Sequence, residues 1–187
     1  MESVRWLNDE ETDLWISFLA VSQMVERLVD QQLRRDFNIS HSDYEILARL
    51  SQAPGRWLRM GELANTIVAP KSRLSHQMER LEKSGWVERK NCPTDGRGVV
   101  AELTEAGLDL LIGIAPAHVT TVRENFIDLI PQEQLEPTLQ ALKAVLKSIP
   151  GAPQSLVECD PAEVTTGTPT CETDTTSNEE CPESWAK

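Results

Sequence analysis

Leu14, Phe18, Val21, Val25, Leu28 and Val29 recur at steps of three and four residues, the spacing that lines one face of a helix. The pattern predicts a helix over about 10–37 with that stripe buried. Asn8 followed by Glu11 reads as a capping box at its start, with Leu7 outside it. A second helix is expected from Ser40, which caps it with support from Asp43. It carries Tyr44, Ile46, Leu47 and Leu50 and stops at Ala53-Pro54-Gly55. Trp57, Leu58 and Arg59 are too few for a helix and suit a short strand. A short helix follows over 60–67, with Leu63, Ala64 and Ile67 inward. Another opens at Pro70, where a missing N–H costs nothing, and ends at Gly85.

Residues 86–90 and 99–103 look like two strands, and the turn formers Asn91 to Gly98 between them make a hairpin. Thr104 caps a long helix from Glu105 to about Leu129, which Pro116 is expected to bend or divide. Ile130-Pro131 opens a last helix with Leu135, Leu139, Leu142, Val145 and Leu146 inward, and Pro137 predicts a kink or a late start. From residue 151 the chain is rich in Thr, Ser, Pro and Glu with almost no aliphatic periodicity. Such a segment cannot offset the entropy of ordering itself, so 151–187 is expected to be a disordered acidic tail.

Charge sharpens this picture. The chain of 187 residues carries a formal net charge of −12. Residues 54–100, however, hold nine Lys/Arg against five Asp/Glu, while the tail holds one Lys/Arg against eight. One central block is therefore basic, and its local field is what a polyanion would meet. No run of about 18 apolar residues marks a membrane span, and residues 1–11 lack the apolar core of a secretory signal, so a cytoplasmic protein is expected. Cys92, Cys159, Cys171 and Cys181 contain no C-x-x-C pair, which argues against a zinc ribbon or a disulfide framework. Phosphate-loop, dinucleotide, zinc-protease and serine-nucleophile motifs are missing as well. Neither an enzyme nor a cofactor nor a metal site is expected.

The element order is that of a winged helix-turn-helix: mainly α, with a small β-wing, and with flanking helices at both ends of the chain. On the 70–84 helix Leu74, Met78 and Leu81 fall on one narrow stripe. The opposite face near its start offers Lys71, Ser72, Arg73, Ser75, His76 and Gln77, with Arg80 on a flank. These are donors able to reach base edges and phosphates in a major groove. An isolated helix with such a face would more often be a solvated surface. The hairpin beside it changes that balance: Arg89, Lys90 and Arg97 cluster on a loop of small residues suited to a minor groove, and Asp95 is placed to orient Arg97. A winged helix that binds protein instead of DNA is the competing class.

Asp95-Gly96-Arg97 through Leu103-Thr104 resembles the D-x-R-x(5)-L-T wing signature of the multiple-antibiotic-resistance (MarR) family. Met60 to Ala64, Met78 to Val87 and Leu103 to Gly107 are also similar to segments of that family. The resemblance covers about residues 7–149, within a domain of 1–150 whose DNA-reading part is about 40–104. It implies that residues 71–77 enter the major groove of double-stranded DNA, that Arg97 enters the minor groove and that Asp95 orients it. It also implies a homodimer closed by the first and last two helices, binding a pseudo-palindromic operator as a repressor. An effector site is implied between the dimer and DNA-binding regions.

Members of the family often respond to small aromatic or phenolic compounds, for which Trp15, Phe18, His41 and Trp57 are candidate ligands' neighbours. Large aromatics otherwise serve a core, and His41, just after a helix cap, reads as a surface residue. Thiol sensing is the alternative: Cys92 lies near Lys90 and Arg89, where a thiolate is favoured, or is an unreactive surface thiol.

Overall fold

The computed structural model describes residues 3–67, 71–91, 98–150 and 152, and of Lys71 and Ser72 the backbone alone. The predicted acidic tail, Pro70, Cys92, Asp95 and Arg97 thus lie outside the described residues.

Six helices and three short strands follow in the order α1 (Asp9–Phe37), α2 (His41–Gln52), β1 (Trp57–Arg59), α3 (Met60–Thr66), α4 (Lys71–Lys83), β2 (Val87–Asn91), β3 (Val99–Leu103), α5 (Glu105–Asn125) and α6 (Gln132–Ser148). Local chemistry sets the boundaries. At the start of α1 the Asn8 side chain accepts from the Glu11 N–H, and the Glu11 carboxylate accepts from the Asn8 N–H, a complete capping box. Ser40 caps α2 by accepting from the Asp43 N–H. α4 ends in a Schellman motif: Gly85 takes φ +74°, its N–H bonds the Glu82 carbonyl, and the Trp86 N–H bonds the Leu81 carbonyl.

The strands form one antiparallel sheet in the order β1-β3-β2. Trp57 pairs with Glu102, and Val87 with Leu103, so the sheet leaves β3 in its middle. Leu33, Ile46, Leu47, Leu50, Leu63, Met78 and Leu81 are fully buried beneath it, joined by Leu111 and Ile114 of α5. This core joins α2, α3, α4 and the sheet to the C-terminal end of α1 and the first half of α5.

Three expectations need correction. The α1 stripe is buried only from Val29 onward; Leu14, Phe18 and Val21 are exposed. The face of α6 expected to be inward buries nothing, and Leu142 and Val145 stand open to solvent. Both helices are amphipathic as read, but the single chain has nothing to place against those faces. The prolines disturb less than expected. α5 runs unbroken through Pro116, and α6 begins at Gln132 despite Pro137. The carbonyls released four residues upstream belong to Ile112 and Glu133, both on exposed positions where water can take the bond.

Candidate nucleic-acid interface

α4 docks on the core through Leu74, Met78 and Leu81. That leaves Arg73, Ser75, His76, Glu79 and Arg80 exposed along its outer side. Gln77 is the exception among the expected readers: its side chain is 3% exposed and neither amide atom has a partner. At 100° per residue Gln77 lies 40° beyond Leu81 and 60° from Leu74, on the edge of the docking stripe, and its burial places it inward.

The wing presents a different charge pattern from the one expected. Arg89 and Lys90 lie on β2, not on the loop, and both are engaged. The Arg89 guanidinium pairs with Glu82 at the end of α4, whose carboxylate also accepts from the Arg89 N–H at 3.0 Å. This partner lowers the Glu82 pKa below the usual carboxylate range and raises that of Arg89. Lys90 pairs with Glu102 across the β2–β3 ladder and with Glu88 on its own strand, and Glu102 raises its pKa. Arg80 is likewise paired, with Asp43 of α2 at 2.5 Å. A count of basic residues therefore overstates the cations on offer. Arg73 stands exposed on the outward face of α4 with no ion pair given to it among the described residues.

A second tie between the wing and its neighbours is Thr104. Thr104 accepts from the Gly107 N–H at 3.0 Å as the cap of α5, and donates to the Gly85 carbonyl at 2.7 Å. Its own N–H bonds the Trp86 carbonyl at 3.1 Å. The end of α4, the root of β2 and the start of α5 thus meet at Thr104.

A cleft of about 570 Å³ opens between α1, α5 and α6, lined by Phe18, Val21, Val25, Val122, Phe126 and Leu142 among others, with His41 and His118 at its polar end. Of the four aromatic candidates, Phe18 and His41 line it. Trp15 stacks on Phe18 at 6.2 Å but is not part of the lining, and Trp57 lies away on β1. His41 is half-buried and not the surface residue expected, because its N–H is held by the Asp30 carboxylate and its ring faces His118 at 6.3 Å. His118 also packs on Tyr44 at 4.3 Å, and its Nδ1 is buried with no partner. Burial, then the neighbouring His41, lower its pKa. Sequence reasoning missed His118 because a histidine in the middle of a long helix carries no positional signal. It missed the Asp43–Arg80 pair because 37 residues separate the partners.

Among the described residues no helix is long and apolar enough to cross a membrane. Nor is any group of three or more His, Cys, Asp or Glu side chains there placed to hold a metal ion.

Comparison with known proteins places this arrangement. The MarR family model matches residues 39–99, the span from the α1–α2 junction to the start of β3. The transcriptional regulator PecS of Dickeya dadantii is 28% identical over 118 residues, which cover 62% of this chain and 70% of that protein. Two solved MarR-family regulators of Streptomyces coelicolor are nearer. Sco3205, solved in complex with DNA, is 39% identical with a TM-score of 0.76, over 80% of this chain and 94% of that one. AbsC is 41% identical with a TM-score of 0.73, over 77% and 97%. Agreement of this extent spans helix-turn-helix, wing and flanking helices alike, and the chain belongs to the MarR family of transcriptional regulators, which are not enzymes.

Proposed function

We propose that the chain is a homodimeric, sequence-specific DNA-binding repressor that a small aromatic ligand releases from a pseudo-palindromic operator. The observation that carries the DNA reading is the outward face of α4, where Arg73, Ser75 and His76 stand exposed beside an antiparallel wing. The relative solved on DNA supports it, sharing 39% identity across the whole fold. In this reading Arg73 and His76 reach base edges, Lys71 and Ser72 flank them, Arg97 enters the minor groove, and Asp95 orients Arg97. Arg89, Lys90 and Arg80 support the frame instead, because each already has a carboxylate partner. Such a regulator would act in the cytoplasm, where its DNA is.

Dimerisation is supported by the apolar surface left open on α1, α5 and α6. Leu14, Val21, Ile112, Val119, Leu142 and Val145 are exposed there, a patch of the kind that marks an association surface. The effector reading rests on the cleft between these helices, whose lining is almost wholly apolar apart from His41, His118, Glu26 and three hydroxyls.

The test is selection of duplexes from a random-sequence pool by the full-length protein. Enrichment of an inverted repeat with half-sites about 10 bp apart, or a multiple of that, is expected. Arg73→Ala and His76→Ala should then weaken binding to the selected duplex far more than to random DNA. Equal losses on both would reduce these side chains to phosphate contacts, and no enrichment would remove the DNA reading.

A further inference from the structure

The direction in which α4 presents its outer face depends on how α4 is held against α2. Both contribute to one core, through Ile46 and Leu47 on one side and Leu74 and Met78 on the other. Core packing of this kind fixes distance better than it fixes rotation, because apolar contacts are not directional. A charged contact crosses between the same two helices. Arg80 Nη2 donates to Asp43 Oδ1 at 2.5 Å.

The acceptor end of this contact is immobilised. The Asp43 side chain is 6% exposed. Its Oδ2 accepts from the Ser40 hydroxyl at 2.6 Å, and its own N–H bonds back to the Ser40 oxygen at 3.1 Å. The carboxylate therefore sits in the first turn of α2, where the helix dipole favours a negative charge. A carboxylate so buried is tolerated only with a cation beside it, and Arg80 is that cation. Arg80 lies in the last turn of α4, two residues before Glu82, which pairs with Arg89 of the wing.

We propose that the Asp43–Arg80 pair is a strut that sets the rotation of α4 against α2, so that Arg80 governs DNA affinity as a positioning residue and not by touching DNA. The inference rests on the DNA-binding reading above, but one of its readouts does not need DNA.

Removing the charge of Asp43 gives opposite signs under the two roles of Arg80. If Arg80 contacts a phosphate, Asp43→Asn frees the guanidinium and removes a repelling charge, so binding tightens. If the pair is a strut, the same change loosens α4 and binding weakens. Anisotropy titrations of a duplex selected from a random pool, at several salt concentrations, separate them. Asp43→Asn and Arg80→Gln are each expected to weaken binding about tenfold. The double variant should lose no more than Arg80→Gln alone, because both changes break one interaction. The slope of log affinity against log salt should stay at its wild-type value in all three. Unchanged or tighter binding by Asp43→Asn overturns the strut. So does an Arg80→Gln slope reduced by about 0.9 per lost phosphate contact. Hydrogen exchange in the free protein is the second measurement, with Arg80→Gln as the variant less apt to misfold. Faster exchange of the α4 amides is expected, and wild-type protection there overturns the strut even if no duplex is ever enriched. Failure of enrichment alone removes the DNA reading and the affinity claim with it.

Discussion

Gly107→Ala should destabilise the protein, although on helix propensity alone it would do the reverse. Gly107 lies in the first turn of α5, where alanine gains about 1 kcal/mol over glycine. A Cβ built there, however, meets the Trp86 carbonyl oxygen at 2.2 Å, the Trp86 carbonyl carbon at 3.0 Å and Leu103 Cδ1 at 2.8 Å. Leu103 can rotate; the Trp86 backbone cannot, because its carbonyl accepts the Thr104 N–H and closes the root of the wing. Relief requires more than about 1 Å of separation to reach ordinary contact. That movement would stretch the bond from Thr104 to Trp86 and the bond from the Thr104 hydroxyl to Gly85. Overpacking costs roughly 1–3 kcal/mol, and each weakened hydrogen bond about 1 kcal/mol more. The clash therefore exceeds the propensity gain, with a net loss of about 2–4 kcal/mol. Urea unfolding followed by circular dichroism, at one fixed chain concentration since a dimer's midpoint depends on it, measures this. Gly61→Ala is the internal control: its Cβ meets nothing within 4 Å, so it should be neutral or stabilising by up to about 1 kcal/mol. A Gly107→Ala midpoint at or above wild type would refute the reasoning, because propensity would then have won.

Leu142→Asp places a charge on the open face of α6 and should shift the protein toward monomer in sedimentation velocity, at a cost of roughly 3 kcal/mol per buried unpaired charge; a variant that sediments like wild type would remove α6 from the interface. Arg89→Gln should leave the salt dependence of DNA binding unchanged, since its guanidinium is already spent on Glu82, whereas a slope lower by about 0.9 would mean that it meets a phosphate. Burial and then His41 lower the His118 pKa in the fold below its ordinary value of 6.5, so the unfolded state binds the proton more readily and stability should fall as pH drops through that value. The rings packed on His118 are those of His41 and Tyr44 of α2; His118→Gln should flatten thermal stability between pH 7.5 and 5.5, and an undiminished pH slope would assign the effect to other groups.

The elements were legible in the sequence where a local rule decides them. The Asn8–Glu11 box, the Ser40 and Thr104 caps, the Gly85 stop and strand β3 all depend on residues a few positions apart, and each stands where its chemistry puts it. The places that were not legible depend on what lies across the fold. Periodicity shows that a face is apolar but not what covers it, so the exposed stripes of α1 and α6 read like the buried ones. Gln77 was assigned to the outer face by its chemistry, yet it lies only 40° beyond Leu81 on the helix wheel and is buried. A narrow three-residue stripe gave too little weight to the position at its edge.

The same limit explains why the basic block misled in detail. Its net positive charge identifies where a polyanion would be attracted, because long-range field depends on the sum. What each cation does depends on whether a carboxylate is within reach, and Glu82, Glu102 and Asp43 come from a helix end, a neighbouring strand and a distant helix. Three of the expected DNA contacts are thereby paired with carboxylates of α2, α4 and β3. This is a sensible use of charge in a reader of DNA. A cation with a free head can slide along phosphates and carries little directional information, while a paired one holds a helix still. Sequence discrimination depends on the second kind of order, since a base edge is recognised only when the donor arrives at a fixed angle. The frame made by Arg80, Arg89 and Lys90 would then account for specificity at Arg73 and His76 without itself reaching the DNA.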